Sequence, residues 1–378
     1  MDLAFTQDQQ ALRQLLQMCL PGEDDARRTG QWNAAAWASF ADAGEILRVG
    51  LPTRIGGAGG PVEIMIVMEA LGSMLLADAY LETIVMGGGL LSHSPDARFD
   101  DLLLQVAAGN ALIAIALYDP NQGDQENSRP TATRCSAGWR LDGRSPLVVG
   151  ASLAGHWIVE ATTANSGDGS DAPMLFLIER DAPGVKRTDY PTIDGRCASD
   201  LQFHAVSVSE EQLVVAPEGS RSLLDSIFDA AVAAHCAEAV GVMRRMFADT
   251  VSHCKQRRQF GRPLSSFQAL QHRMVDMNLQ ISMAASATLR AALSLERSPA
   301  ERARATSAAK ATVATACRFV GQNAIQLHGG LGMRDDTPVT RFFRRATAME
   351  SELGGVDWHV ERFRKSEAKA SESENCLG

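Results

Sequence analysis

The stretch Arg257-Arg258-Gln259-Phe260-Gly261-Arg262-Pro263-Leu264-Ser265-Ser266-Phe267-Gln268-Ala269-Leu270-Gln271-His272 separates two long amphipathic patterns. Before it, Leu224, Ile227, Phe228, Ala231, Met243, Phe247 and Val251 recur at helical steps. After it, Phe267, Leu270, Met274, Met277 and Ile281 do the same. Gly261 and Pro263 interrupt both patterns, because neither residue continues a helix well, so the segment reads as helix, short arm, helix. A third helix, rich in alanine, covers about residues 299–327, where small side chains let neighbouring helices approach closely. Residues 219–365 therefore read as a four-helix bundle, and residues 366–378, rich in Ser, Glu and Lys, as a flexible tail.

Working outward, Thr6 with Gln9 three residues later forms a capping-box pattern that opens a helix through Leu12, Leu15, Leu16 and Leu20. The pattern stays helical to about residue 111, broken at Gly50-Leu51-Pro52 and at Gly56-Gly57-Ala58-Gly59-Gly60-Pro61. That glycine cluster lacks the spacing of a phosphate loop and reads as a surface turn. Between about Leu112 and Ala216 the texture changes to short β-type runs, Leu112–Tyr118, Trp139–Leu141, His156–Ala161, Met174–Ile178 and Leu201–Val208, with Asp-Gly and Gly-Asp turns between them. The fold class is α+β in three domains: N-terminal helical 1–111, a middle antiparallel β-barrel 112–218, and the C-terminal bundle 219–365.

The 378 residues carry 45 acidic against 36 basic side chains, a net charge of −9 that opposes sequence-independent attraction to nucleic acid. Seven scattered cysteines with no CxxC pair fit reduced thiols, and the start of the chain has no basic-then-apolar order. No apolar run approaches a membrane span, so the expectation is a cytoplasmic protein without a membrane or nucleic-acid partner. His235 with Glu238, and His253 beside Cys254, do not supply the ligand number of a metal site, and no GxSxG nucleophile elbow occurs. Two segments remain, Arg257–Leu264 and Gln326-Leu327-His328-Gly329-Gly330-Leu331-Gly332-Met333. An arginine fork and exposed glycine backbone suit a dinucleotide pyrophosphate; the same residues also suit two ordinary helix ends with solvated arginines.

Taken together, Arg257-x-Gln-Phe-Gly-x-Pro-Leu-x-x-Phe-Gln268-x-x-Gln271-His272, Asp276-Met277, Gln326-x-His-Gly-Gly330-x-Gly332 and Arg341–Arg345 resemble the flavin signatures of the acyl-CoA dehydrogenase family. Phe5-Thr6-x-x-Gln9 and the helix–β–helix order extend the likeness over the whole chain. Tyr80-Leu81-Glu82-Thr83 with Gly87-Gly88-Gly89-Leu90-Leu91 is similar to the non-catalytic small (β) subunits of heteromeric members, such as the pimeloyl-CoA dehydrogenase small subunit. The resemblance implies an FAD-dependent oxidoreductase of lipid metabolism that forms a 2-enoyl-CoA: a carboxylate takes the α proton and a hydride leaves the β carbon for the flavin.

The family's usual glutamate position falls on Leu353, and the alternative position on Ala231, so the resemblance implies no catalytic residue in this chain. Glu352, one residue away, reads as an exposed helix-end carboxylate. Tyr118–Asp124 stands where the family has a glycine- and serine-rich loop after Thr-Glu-Pro, and Leu147-Val148-Val149 where a Trp-x-Thr holds the ring. The ring-holding half is eroded while the arm for the ADP half is intact. In that family the arm reaches into a neighbouring subunit. The resemblance therefore implies that this chain completes the FAD site of a catalytic sister subunit in an α2β2 heterotetramer. Bulky acyl-CoA substrates such as steroid side chains would be bound mainly by the partner, and an electron-transfer flavoprotein or similar acceptor would take the electrons. Arg257 would pair with the pyrophosphate; Gln259, Phe260, Leu264, Phe267 and Leu270 would line the ADP side; Gln326, Leu327, Gly329 and Gly330 would hold the adenosine part. The alternatives are a homomeric dehydrogenase using Glu352 or another carboxylate, and a flavin-free acyl-CoA-binding or scaffold protein.

Overall fold

A computed structural model of the chain describes residues 5–20, 32–76, 79–94, 97–117, 129–136, 138–163 and 173–375. In chain order its helices are α1 (Gln7–Cys19), α2 (Ala34–Asp42), α3 (Pro61–Gly72), α4 (Gly89–Ser92), α5 (Asp100–Ala107), α6 (Pro217–Gln256), α7 (Gln268–Ser294), α8 (Pro299–His328), α9 (Pro338–Met349) and α10 (Val356–Asn375). The strands are β1 (Ile113–Ala116), β2 (Thr131–Cys135), β3 (Gly138–Val149), β4 (His156–Thr163), β5 (Met174–Glu179), β6 (Val185–Pro191), β7 (Cys197–Val208), β8 (Leu213–Val215), β9 (Arg258–Gln259) and β10 (Arg262–Pro263). The chain forms two compact units: Met1–Ala36, Pro61–Ala77 and Asp229–Gly378 in one, Trp37–Gly60 and Asp78–Phe228 in the other.

The first unit is helical. The capping box opens α1 as its sequence pattern dictates: Gln9 N–H donates to Thr6 Oγ1 at 3.2 Å and Thr6 N–H donates to Gln9 Oε1 at 3.0 Å. Ser298 and Glu301 do the same for α8, with Pro299 at its first turn. Small residues set the packing distance. A Cβ on Gly241 of α6 would lie 2.0 Å from the Glu69 carbonyl of α3, and one on Gly72 would lie 2.1 Å from the Glu238 carbonyl, so the two helix backbones touch there. By length and composition α6 could cross a membrane, but 83% of its most apolar window is buried; its apolarity serves the core. The last helix continues through the segment that composition marks as a tail, reaching Asn375.

The second unit holds an eight-stranded sheet in the order β6-β7-β3-β2-β4-β5-β8, with β1 also paired to β4. It is mixed: β1 and β2 each run parallel to β4, and the other pairs are antiparallel. Trp157, Phe176, Leu201, Phe203 and Leu141 fill its core. Asp142-Gly143, an expected turn, lies inside the twelve-residue β3 at a register shift against β7. Gly143 takes φ 131° there, and Asp142 Oδ1 accepts the Ala205 N–H across the irregularity at 2.7 Å. Ahead of the sheet, Leu81–Gly88 forms a buried π-helical segment that runs into α4. Cβ atoms on Gly88 and Gly89 would meet the side chains of Leu51 and Ile227 at 2.6 Å, which accounts for the glycine run.

Candidate functional site

The arm grows directly out of α6. Arg257 N–H donates to the His253 carbonyl at 2.8 Å, continuing the helical bonding by one residue, and Leu264 N–H returns to the Arg257 carbonyl at 2.9 Å. Between them β9 and β10 pair antiparallel. The two residues at the tip, Phe260 (φ 53°) and Gly261 (φ 77°), are both left-handed, the signature of a two-residue hairpin turn of the I′ kind. Glycine takes that conformation freely; in phenylalanine it costs on the order of 1–2 kcal/mol. Yet Phe260 is 91% exposed, so burial within its own unit does not offset that cost. The hairpin is nonetheless braced: the Phe260 ring meets Phe267 edge-on at 6.2 Å, and the Arg262 guanidinium lies 4.0 Å above the Phe267 ring centroid. Gln259 is exposed, while Leu264, Phe267 and Leu270 form the half-buried base. Arg257 is exposed and makes no ion pair with any described residue.

The second segment ends α8. Gln326 points outward and Leu327 fills the core, so at 327 only the backbone is on offer. Gly329 caps the helix with φ 58°, and both Gly329 and Gly330 are exposed. A Cβ on either would meet nothing within 4 Å: their backbone faces open space rather than packed protein. The two segments meet through a pair of imidazoles. His253, in the last turn of α6, stacks on His328, in the last turn of α8, with centroids 4.4 Å apart and planes 21° from parallel. The stack thus joins the carboxy ends of α6 and α8, from which the two segments singled out from sequence continue, within one unit.

Neither position at which the resemblance places a base carries a carboxylate. Leu353 sits in a turn at φ 55°, its carbonyl accepting from His359 Nε2 at 2.8 Å, and Ala231 is fully buried on α6. Glu352 departs from the sequence expectation of an exposed helix-end carboxylate: it is part-buried and tied to partners. Arg345 Nη1 donates to its two oxygens at 2.9 and 3.0 Å, and His235 Nε2 lies 2.9 Å from Oε2. Arg345 also forks onto Glu238 at 2.7 and 3.1 Å, so Glu238 serves the arginine rather than its helix neighbour His235. Beside them the buried Lys310 donates to the Met349 carbonyl at 2.8 Å. Burial pushes the His235 imidazole and the Lys310 ammonium down, and the Cys236 and Cys317 thiols up to about 12. Glu352 is thus engaged by Arg345 and His235 rather than presented to solvent. Sequence reading misses this network because its members lie 107 and 117 residues apart.

In the other unit, Leu147 is exposed at φ 53° with its N–H donated to Asp200 Oδ1, and Val148 is buried in the sheet core. None of Leu147, Val148 and Val149 carries a side-chain hydroxyl. The Tyr118–Asp124 segment lies outside the described residues. No group of three or more potential metal ligands occurs among the described residues.

Residues 218–363, which contain the arm, the Gln326–Gly330 segment and the Glu352 network, match the acyl-CoA dehydrogenase C-terminal domain family. The C-terminal region of the chain thus matches this family, and the chain as a whole is similar to its members. Among curated relatives of that family, it is 28% identical over 341 residues to the acyl-CoA dehydrogenase FadE27 of Mycobacterium tuberculosis, covering 86% of each chain. It is 26% identical over 364 residues to the probable acyl-CoA dehydrogenase YngJ of Bacillus subtilis, covering 93% of this chain and 95% of that protein. Among solved structures it is similar to a chain of the ChsE4-ChsE5 complex from Mycobacterium tuberculosis, with a TM-score of 0.85 and 26% identity over 97% of this chain and 99% of that one. The acyl-CoA dehydrogenase fold is also that of butyryl-CoA dehydrogenase from Megasphaera elsdenii, with a TM-score of 0.86, 22% identity and coverage of 97% and 99%.

Proposed function

We propose that this chain is the non-catalytic subunit of a heteromeric, FAD-dependent acyl-CoA dehydrogenase, and that its arm completes the cofactor site of a catalytic sister chain. The observation that carries this reading is the tip of the hairpin: a phenylalanine in left-handed backbone, 91% exposed, on a braced hairpin beside an exposed arginine that makes no ion pair among the described residues. An apolar ring held out in water at a conformational cost gains its compensation on a second molecule.

The residues present fit one half of FAD. The open backbone of Gly329 and Gly330 can approach a ribose or phosphate that a Cβ would hold away, and the exposed Arg257 guanidinium suits a pyrophosphate. Gln259, Phe260, Leu264, Phe267 and Leu270 would line the ADP side, and Gln326 and Leu327 the adenosine side, Leu327 through its backbone. The ring half fits poorly, because Leu147-Val148-Val149 offers no hydroxyl donor. The chemistry FAD supplies when bound is acceptance of a hydride from the β carbon of an acyl-CoA. The α proton goes to a base of the sister chain, since Leu353 and Ala231 cannot take it and Glu352 is held by Arg345 and His235.

The likeness to a chain of the ChsE4-ChsE5 complex and to a steroid enzyme of the same fold, 27% identical with a TM-score of 0.83, supports a two-chain assembly and a bulky, steroid-type acyl group. A relative named as a subunit of a caffeyl-CoA reductase–Etf complex, 24% identical, supports an electron-transferring flavoprotein as acceptor. Co-expression with the sister chain tests the reading. FAD and dehydrogenase activity are expected only in the co-purified complex, whereas a yellow homomer reduced by acyl-CoA would overturn it.

A further inference from the structure

We infer that the stacked His253 and His328 rings are positioning residues for the arm: with His253 neutral, the stack clamps the ends of α6 and α8 together and holds the root of the arm against the end of α8; protonation of His253 releases it. The inference rests on the reading of Arg257 and the glycines as a dinucleotide grip, and it adds a control to that grip.

The geometry supplies the coupling. The His253 carbonyl accepts the Arg257 N–H, so the residue carrying one ring also fixes the first residue of the arm. His328 immediately precedes Gly329, so the other ring fixes the glycine backbone. His328 Nδ1 lies 2.8 Å from the Ala324 carbonyl, which makes Nδ1 the donor and leaves Nε2 as the basic nitrogen. Protonating both rings places two like charges at a 4.4 Å ring separation. The groups that act on His253 are His328 from α8 and Arg257 from its own chain end; neither is a carboxylate. The hairpin adds Arg258, donating to the Gly261 carbonyl, and Arg262, over Phe267. Each ring sits at a helix carboxy end, where the backbone dipole favours a cation. Burial, His328 and Arg257 outweigh it and lower the His253 pKa from its ordinary value of 6.5. With a lowered value, the contribution of neutral His253 is complete above 6.5 and is lost as pH falls below it.

Two measurements test this. In the isolated chain, imidazole NMR titrations of His253 and His328 are expected to be coupled: His328→Phe, which keeps an aromatic ring and removes the proton, moves the His253 midpoint upward. In the complex with the sister chain, flavin fluorescence reads FAD release. Release is expected to be about tenfold faster near pH 5.5 than near pH 7.5, the scale of one lost charge-assisted hydrogen bond. In His253→Phe that ratio is expected to fall below about threefold, because the stack survives without the His253 proton. Independent NMR midpoints, or an unchanged pH ratio of release in His253→Phe, overturn the inference. If the titrations are coupled but Arg257→Ala leaves FAD retention near pH 7.5 unchanged, the grip itself is refuted, and with it any role of the stack in positioning it.

Discussion

Replacing Arg257 with alanine removes a guanidinium and almost nothing else. The side chain is exposed and unpaired among the described residues, and the two backbone bonds that root the hairpin, to the His253 carbonyl and from Leu264 N–H, survive in alanine. The cost to folding should therefore stay within about 0.5 kcal/mol, as for other surface changes. Loss of one charge-assisted hydrogen bond to a pyrophosphate, by contrast, costs about 1.5–3 kcal/mol. That corresponds to FAD affinity weaker by about 10- to 150-fold. The assay is recovery of flavin fluorescence as FAD leaves the complex on dilution, with the melting temperature of the isolated chain measured in parallel. Arg257→Lys should fall between wild type and Arg257→Ala, because an ammonium keeps the charge and loses the parallel fork. A change in FAD affinity below about twofold in Arg257→Ala, with the complex intact, would refute the reasoning.

Arg345→Leu should destabilise the chain by about 3–5 kcal/mol, because it leaves Glu238 buried without its arginine and strips Glu352 of its fork; the denaturant midpoint reads it, and a shift of under about 1 kcal/mol would contradict the buried network. Glu352→Gln should leave turnover of the complex, per bound FAD, within about threefold, as expected of a group that touches no reacting atom; a loss of about 10³-fold would make Glu352 the base. Burial pushes His359 down to about 3. A depressed histidine contributes stability that is complete above 6.5 and lost as pH falls toward its folded value. Stability should therefore decline between about pH 6.5 and 3 by up to about 1.4 kcal/mol per pH unit for this group. His359→Gln should reduce that slope in urea titrations at several pH values, and an unchanged slope would exclude the assignment.

The helices were legible because their apolar period is strong. The Thr6–Gln9 capping box and the alanine-rich helix from Pro299 both appear where the pattern places them. Strands buried on the core side, such as β4 and β5, carry apolar runs that announce them. β6 is largely exposed and polar, and β2 nearly so, and neither has such a run. Asp142-Gly143 reads as a turn because the same two residues also serve a strand irregularity; only the pairing of β3 with β7 decides between them. At the candidate site, the arm was legible from contiguous residues, Arg257 through Leu270 and Gln326 through Gly330. The Glu352 network was not, since Glu238, His235, Arg345 and Glu352 become neighbours only when α6, α9 and the loop after α9 pack together. The stack of His253 on His328 joins two motifs that the sequence presents 75 residues apart.

FAD content is the most direct test of the claim that this chain serves another subunit's redox centre. Purified alone, the chain should be colourless and fail to reduce a dye with acyl-CoA; with its sister subunit, bound FAD should appear and should depend on Arg257. A chain that alone binds FAD stoichiometrically, and whose flavin is bleached by acyl-CoA, would contradict the account.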